Sequence, residues 1–395
     1  MARILLGWEL GAGLGHVTRL MAIARAVQAR GHRPFLALRN LVEPWPAYRS
    51  ENFPVLQAPR WEERSGSRRS FHAASIADII AMNGFLDPAD LMPMVQAWDR
   101  LIDAVRPAAI VADYSPTLCL AAHGKHPLVI VGDGFTAPPD DLPRFPILRP
   151  TSTPVAGEAR ILEAIRVVQK RRRRKPLEAL PELFAARGRF VCTLPEIDPY
   201  RVYRSQPAMG AFQPLPPQAP PTAGRGFFAY LGVDARFIRT AVAGLASAPG
   251  PGRFYIRRAP RGLKRYLGER GHVVHETPVP LADALRETPI IVHHGGIGTT
   301  ETALALGRPQ IIMPRHLEQQ LTAAALQELG VALVLGGNFT EAQVTEAVAR
   351  MIDDKSLAQR ARAFALELAA REQPDNVARI ADACVEIARQ GAALH

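Results

Sequence analysis

Short apolar runs rich in strand-forming residues alternate with helix-period segments along this 395-residue chain, and the alternation begins twice. In the first half, a run at residues 3–7 leads to a helical pattern at 17–30 and a second run at 34–38. Runs at 109–112, 128–131 and 190–193 follow, with helical stretches near 91–105 and 158–170. Strand and helix in turn mean a parallel sheet wrapped by helices. Residues 205–226, SQPAMGAFQPLPPQAPPTAGRG, carry neither period and read as a linker. Strand-like runs then resume at 227–231, 253–257, 272–275, 289–293, 309–313 and 331–335. A chain this long exceeds what one core usually serves. The pattern predicts two Rossmann-like α/β domains at 1–205 and 227–372, joined by a linker at 206–226. A last helical stretch, within 373–395, is expected to pack back across the hinge. Ligands of such paired domains are expected in the cleft where strand C-termini and helix N-termini converge.

Composition removes several function classes. With 48% apolar and 22% charged residues the chain is of ordinary globular type. No apolar run approaches the roughly 18 residues of a membrane span, and the run at 4–8 is too short for a secretory signal, so a cytoplasmic location is expected. Cys119, Cys192 and Cys384 are far apart and fit neither a disulfide framework nor a zinc cluster. The formal charge is +11, but Lys170, Arg171, Arg172, Arg173, Arg174 and Lys175 carry six of those charges and leave +5 elsewhere. No stacking aromatics or reading helix accompany that run, so nucleic acid is not an expected partner. It reads as a solvated helix face, with peripheral contact to acidic lipid as the alternative.

The strongest motif is IIVHHGGIGTTETALALGRPQIIMPRHLEQQ at 290–320. A strand ends at His293, and a helix is expected from about Gly298. Gly295, Gly296 and Gly298 would leave backbone N–H groups exposed at the helix start, with Thr299 and Thr300 adding hydroxyls; such a turn binds phosphate. The register of His294-Gly295-Gly296, Gly298-Thr299, Gly307, Pro309, Pro314 and Glu318-Gln319 resembles the donor signature of family 1 nucleotide-sugar glycosyltransferases of the GT-B fold. The resemblance implies that His294 and the turn from Gly295 through Thr300 hold a diphosphate, and that Glu318 and Gln319 bind sugar hydroxyls. Thr302, with Glu301 beside it, replaces the family's usual ribose-binding glutamate. Pro278-Val279-Pro280-Leu281 replaces its Trp-Val-Pro-Gln box, which makes Val279 the base-side candidate. Both UDP- and dTDP-linked sugars stay open as co-substrates, and no other cofactor is implied.

The stretch GWELGAGLGHVTR at 7–19 invites a dinucleotide reading, but Gly11-Ala12-Gly13-Leu14-Gly15 places its third glycine one residue early. The second strand leads to Arg39 rather than an acid, a residue suited to a 2′-phosphate, so an NADP oxidoreductase remains an alternative. The other reading uses His16. Gly13 and Gly15 would clear space on the acceptor side, and Gly15-His16 resembles the loop that carries the general base in family 1. Arg19 replaces that loop's usual proline, and G-x-G-x-G-H-x-x-R also looks like the loop of a GT-B nucleotide-sugar hydrolase. Asp113, at the end of an apolar strand, is the candidate partner of His16, in the place of the family's dyad aspartate. It also stands where a cap for the helix from Ser115 would. Asp133 is a lesser candidate.

The resemblance implies an inverting transferase that moves a sugar to a hydroxyl, or less readily an amine or thiol, of a small-molecule or lipid acceptor. No Asp-x-Asp pair follows a strand, so a metal-free mechanism is expected. Residues 60–71 with Met82, Phe85, Leu86, Met92, Met94 and Trp98 form either an apolar acceptor pocket or plain core.

Overall fold

A computed structural model describes residues 1–11, 13–61, 73–149, 151–154, 157–220 and 224–392. Contacts divide the chain into one unit of Met1–Gln213 with Asp375–His395 and a second of Pro214–Pro374. Among the described residues, no helix is long and apolar enough to cross a membrane.

The first unit holds β1 (Arg3–Trp8), β2 (Arg33–Leu38), β3 (Val55–Gln57), β4 (Ala109–Asp113), β5 (Leu128–Gly132) and β6 (Gly188–Val191). They form one parallel sheet in the order β3-β2-β1-β4-β5-β6. Ile4, Leu5, Leu6, Ile110 and Val111 are wholly buried, the near-continuous apolar pattern of strands covered on both faces. Winding reverses between β1 and β4, which opens a crevice at their C-terminal edge.

The second unit repeats this plan with β7 (Phe227–Gly232), β8 (Gly252–Arg257), β9 (Val273–Val274), β10 (Ile290–His293), β11 (Gln310–Ile312) and β12 (Ala332–Val334). The order β12-β11-β10-β7-β8-β9 is the same winding seen from the other side, with the reversal between β7 and β10. Its core gathers Phe227, Phe254, Val292, Ile311 and Val348.

The proline-rich stretch is divided between the units. Met209 N–H donates to Val191 O, and Asn376 Nδ2 reaches the carbonyls of Met209 and Ala211, so this part is fastened to the first unit. Gln218 donates to Arg362 O and Arg308 to Pro220 O, which fastens the next part to the second. The helix Asn376–Ala392 lies in the first unit, where Ile380, Ala381, Cys384 and Ala388 join the core around Leu20, Ala24 and Val27.

The burial of this helix is directly testable. Ile380 is fully buried, so Ile380→Ala should cost about 2–5 kcal/mol. The exposed Leu366 gives a control, whose change to alanine should stay within about 0.5 kcal/mol. Urea unfolding of both variants measures the difference.

Candidate functional site

Trp8 lies opposite Asp113 across the β1–β4 pair, so the turn after β1 and the last residue of β4 meet at the first crevice. That turn enters the helix Gly15–Ala29 one residue before His16. His16 Nδ1 lies 2.9 Å from Asp113 Oδ1. Its ring stacks with Trp8 at 5.3 Å and with Tyr114 at 6.0 Å. With Asp113 ionised, Nδ1 carries the proton and donates it, and Nε2 keeps its lone pair, the tautomer a general base requires. No described residue hydrogen-bonds to Nε2. Gly11 makes this placement possible: its φ is +82°, and a Cβ there would come 2.7 Å from His16 Nε2. A Cβ at Gly13 or Gly15, the glycines expected to clear space on the acceptor side, would meet open space.

Asp113 is fully buried. Burial alone would raise its pKa, but Arg19 and then His16 more than offset this and hold the carboxyl below its usual range. Arg19 Nη1 donates to both carboxylate oxygens, at 3.1 and 3.0 Å. Asp113 therefore does not cap the following helix, Pro116–Ala122, as the sequence allowed. Both oxygens are turned to His16 and Arg19, and Glu9 takes the cap's place, accepting from the N–H groups of Thr117 and Leu118. Glu9 also accepts from the Thr117 hydroxyl and from Trp61 Nε1. Desolvation nonetheless drives its carboxyl up to about 7. Asp133 accepts from Thr136 N–H and lies 3.9 Å from Arg19, with no contact to His16.

Of the expected pocket residues, Phe85 and Trp98 are core, and Met82 is exposed. Residues 62–71 lie outside the described residues. Arg39, on which the NADP alternative depends, donates to Gly11 O. In the basic run, Arg172 is drawn inward by Asp99 and the carbonyls of Leu120 and Ala121, while Arg171, Arg173 and Lys175 are exposed.

At the second crevice, β10 ends at His293 and the helix Ile297–Ala305 starts one residue before the expected Gly298. Gly296 is its N-cap and supplies no side chain, so the N–H groups of Ile297, Gly298 and Thr299 point out uncapped. Gly295 has φ +90°, and a Cβ there would stand 3.0 Å from Ile312 and 3.6 Å from Gln319 Cβ. This close approach seats the turn against the start of the helix Leu317–Glu328. Gln319 Oε1 accepts from Arg315 N–H, and Glu318 is half-buried.

Two expectations change here. Thr300 is fully buried with its hydroxyl turned inward, because the helix phase leaves Thr299 outside and Thr300 on the sheet side. His294 spends both ring nitrogens on backbone, donating from Nδ1 to Met313 O and accepting at Nε2 from Gly232 N–H. Burial, reinforced by Arg315, pushes it down to about 4, so it is a neutral brace rather than a cation for phosphate. Val279 packs on the Phe228 and Leu285 cluster and is only partly buried. Positive charge at this crevice comes from two residues outside the recognised register, Arg315 within the motif stretch and Arg257 on β8: Arg315 Nη1 lies 2.6 Å from Asp234, and Arg257 lies 3.7 Å from it.

Comparison with known proteins fits this geometry. The spinosyn rhamnosyltransferase SpnG, in complex with spinosyn aglycone, superposes with a TM-score of 0.69 over 97% of this chain and 100% of its own, at 19% identity. The calicheamicin glycosyltransferase CalG4 gives 0.68 over 98% of each chain, at 18% identity. The fold is GT-B. Within this GT-B chain, residues 271–386 match the family described as erythromycin biosynthesis protein CIII-like, C-terminal domain. O-mycaminosyltylonolide 6-deoxyallosyltransferase of Streptomyces fradiae is 31% identical over 132 residues, 31% of this chain and 31% of its own. NDP-glycosyltransferase YjiC of Bacillus subtilis (strain 168) is 32% identical over 85 residues, 21% of this chain and 22% of its own. The chain thus spans less than a third of the length of these curated relatives. SpnG is also known in complex with thymidine diphosphate.

Glu9 gives this part of the GT-B fold a measurable pH dependence. Its carboxyl rises from about 4.5 unfolded to about 7 folded, so the native state binds the extra proton, and stability falls as pH rises through that window. Glu9→Gln removes the slope. Between pH 5 and 8 the stability of the variant relative to wild type should rise by about 2–3 kcal/mol, read by urea unfolding at each pH.

Proposed function

We propose that this GT-B chain is an inverting glycosyltransferase that moves a sugar from a nucleoside-diphosphate donor to a hydroxyl of a small-molecule acceptor, without a metal ion. The observation that carries the reading is His16, fixed by Asp113 through Nδ1 and with no described residue bonded to Nε2, at the crevice of the first unit. His16 Nε2 would take the hydroxyl proton as the acceptor oxygen attacks the anomeric carbon on the face opposite the diphosphate. The bond to the diphosphate then breaks, its electrons leave with the phosphate oxygen, and the anomeric carbon inverts.

The second unit would meet the leaving charge with the N–H groups of Ile297, Gly298 and Thr299 and with Arg315 and Arg257. Glu318 and Gln319 would hold sugar hydroxyls, with Val279 on the base side. The thymidine diphosphate complex of SpnG supports a dTDP-sugar, with UDP as the alternative. The SpnG aglycone complex supports a small-molecule acceptor over a lipid.

His16→Ala should lower transfer roughly 100-fold or more while nucleotide binding persists. Steady-state rates and a thermal-shift panel of TDP, UDP and NADPH check both halves of the statement. Unchanged transfer in the variant would sink the mechanism. Saturable NADPH binding without any response to nucleoside diphosphates would establish the oxidoreductase instead. Release of free sugar at the full rate without acceptor would make the chain a hydrolase.

A further inference from the structure

Arg19 sits one helical turn after His16 on the same face of the helix Gly15–Ala29. Its side chain is only 10% exposed and reaches Asp113 through two hydrogen bonds from Nη1. Nη2 lies 3.9 Å from Asp133 Oδ2. Its guanidinium also lies 5.9 Å from the Phe212 ring. One cation thus stands between two buried carboxylates, one of which is the partner of His16.

Burying a lone carboxylate is expensive, and a neighbouring histidine can relieve the cost by staying protonated. A protonated His16 cannot accept a proton from an acceptor. The base form needs the opposite arrangement: Asp113 ionised and His16 neutral. We propose that Arg19 is the positioning residue that maintains this state, supplying the counter-charge that lets His16 release its proton while Asp113 stays ionised. This rests on the reading of His16 as the general base.

The charged and titratable groups around the cluster fix the sign. Asp113 faces Arg19 from β4, Asp133 from the segment after β5, and Cys192 from the segment after β6. Tyr114 stacks on His16, and Glu9 is turned away to Thr117 and Trp61. With His16 neutral, Arg19, Asp113 and Asp133 sum to one negative charge. Replacing Arg19 by an apolar residue leaves two negative charges, and the imidazole then holds its proton to higher pH. Replacing Asp133 by asparagine removes one negative charge and acts in the opposite direction.

The test is an NMR titration of the His16 imidazole in the ligand-free full chain, for wild type, Arg19→Met, Arg19→Lys and Asp133→Asn. Arg19→Met should raise the midpoint by about one pH unit or more. Lysine, which keeps the charge but not the forked geometry, should restore part of the shift. Asp133→Asn should lower the midpoint, which keeps the proposal falsifiable if Arg19→Met does not fold. The acid limb of kcat/KM should move with the midpoint, so that Arg19→Met loses transfer at neutral pH and recovers it in alkali. An unchanged midpoint in Arg19→Met, or an Asp133→Asn shift upward, overturns the proposal. The titration assumes nothing about sugar transfer. A shifted midpoint together with full transfer by His16→Ala would retain the electrostatic role of Arg19 and remove only the base role of His16.

Discussion

The parallel pairing of β1 with β4 is the constraint on which the first site depends. It sets Trp8 opposite Asp113, so a residue on the helix after β1 and a carboxylate on the next strand meet although 97 positions separate them. The same winding places the turn after β10 beside the end of β7, where His294 accepts from Gly232 N–H. Each unit therefore gathers polar groups at its own topological reversal, and backbone pairing supplies the precision. Side chains then only have to be short and fixed.

That fixing has an electrostatic cost, which the two crevices meet differently. In the first, carboxylates are sealed from water: Asp113 is compensated by Arg19 and His16, while the amide, hydroxyl and indole donors around Glu9 offset its burial only in part. In the second, charge stays nearer the surface, where the arginines and Asp234 remain partly exposed. A buried, preorganised cluster suits a group that must hold one protonation state. A more open cationic rim suits a ligand that brings its own charge and must also leave.

The sheets were legible because strands covered on both faces are nearly uninterrupted apolar runs, as at Ile4, Leu5 and Leu6 or at Ile291 and Val292. Val55–Gln57 was missed because a short, half-exposed edge strand carries no such run. The proline-rich stretch signalled a break, but its anchors, Asn376, Arg362 and Arg308, lie far along the chain. At the sites, His16 and Asp113 could be read as a loop residue and a strand end. Glu9 could not, since its partners at Thr117 and Trp61 are 108 and 52 positions away. Gly11 looked like any loop glycine until His16 was seen against it. Thr299 and Thr300 were indistinguishable by type, and the helix start at Ile297 separated them.

The histidines of the donor turn show how residue type alone misleads about chemistry. His293 accepts from Gly295 N–H and donates to Gln310, and His294 braces Gly232 against Met313, so both rings serve to shape the turn. Burial pushes each down to about 4, and both are neutral at physiological pH. A phosphate held at this turn meets amides and arginines whose charge does not change between pH 5 and 8. Donor affinity then has no reason to follow the ionisation of these two rings in that range. A titration in that range in the transfer rate, unaccompanied by one in nucleotide binding, would point away from the donor turn and to the first unit, where His16 and Glu9 lie.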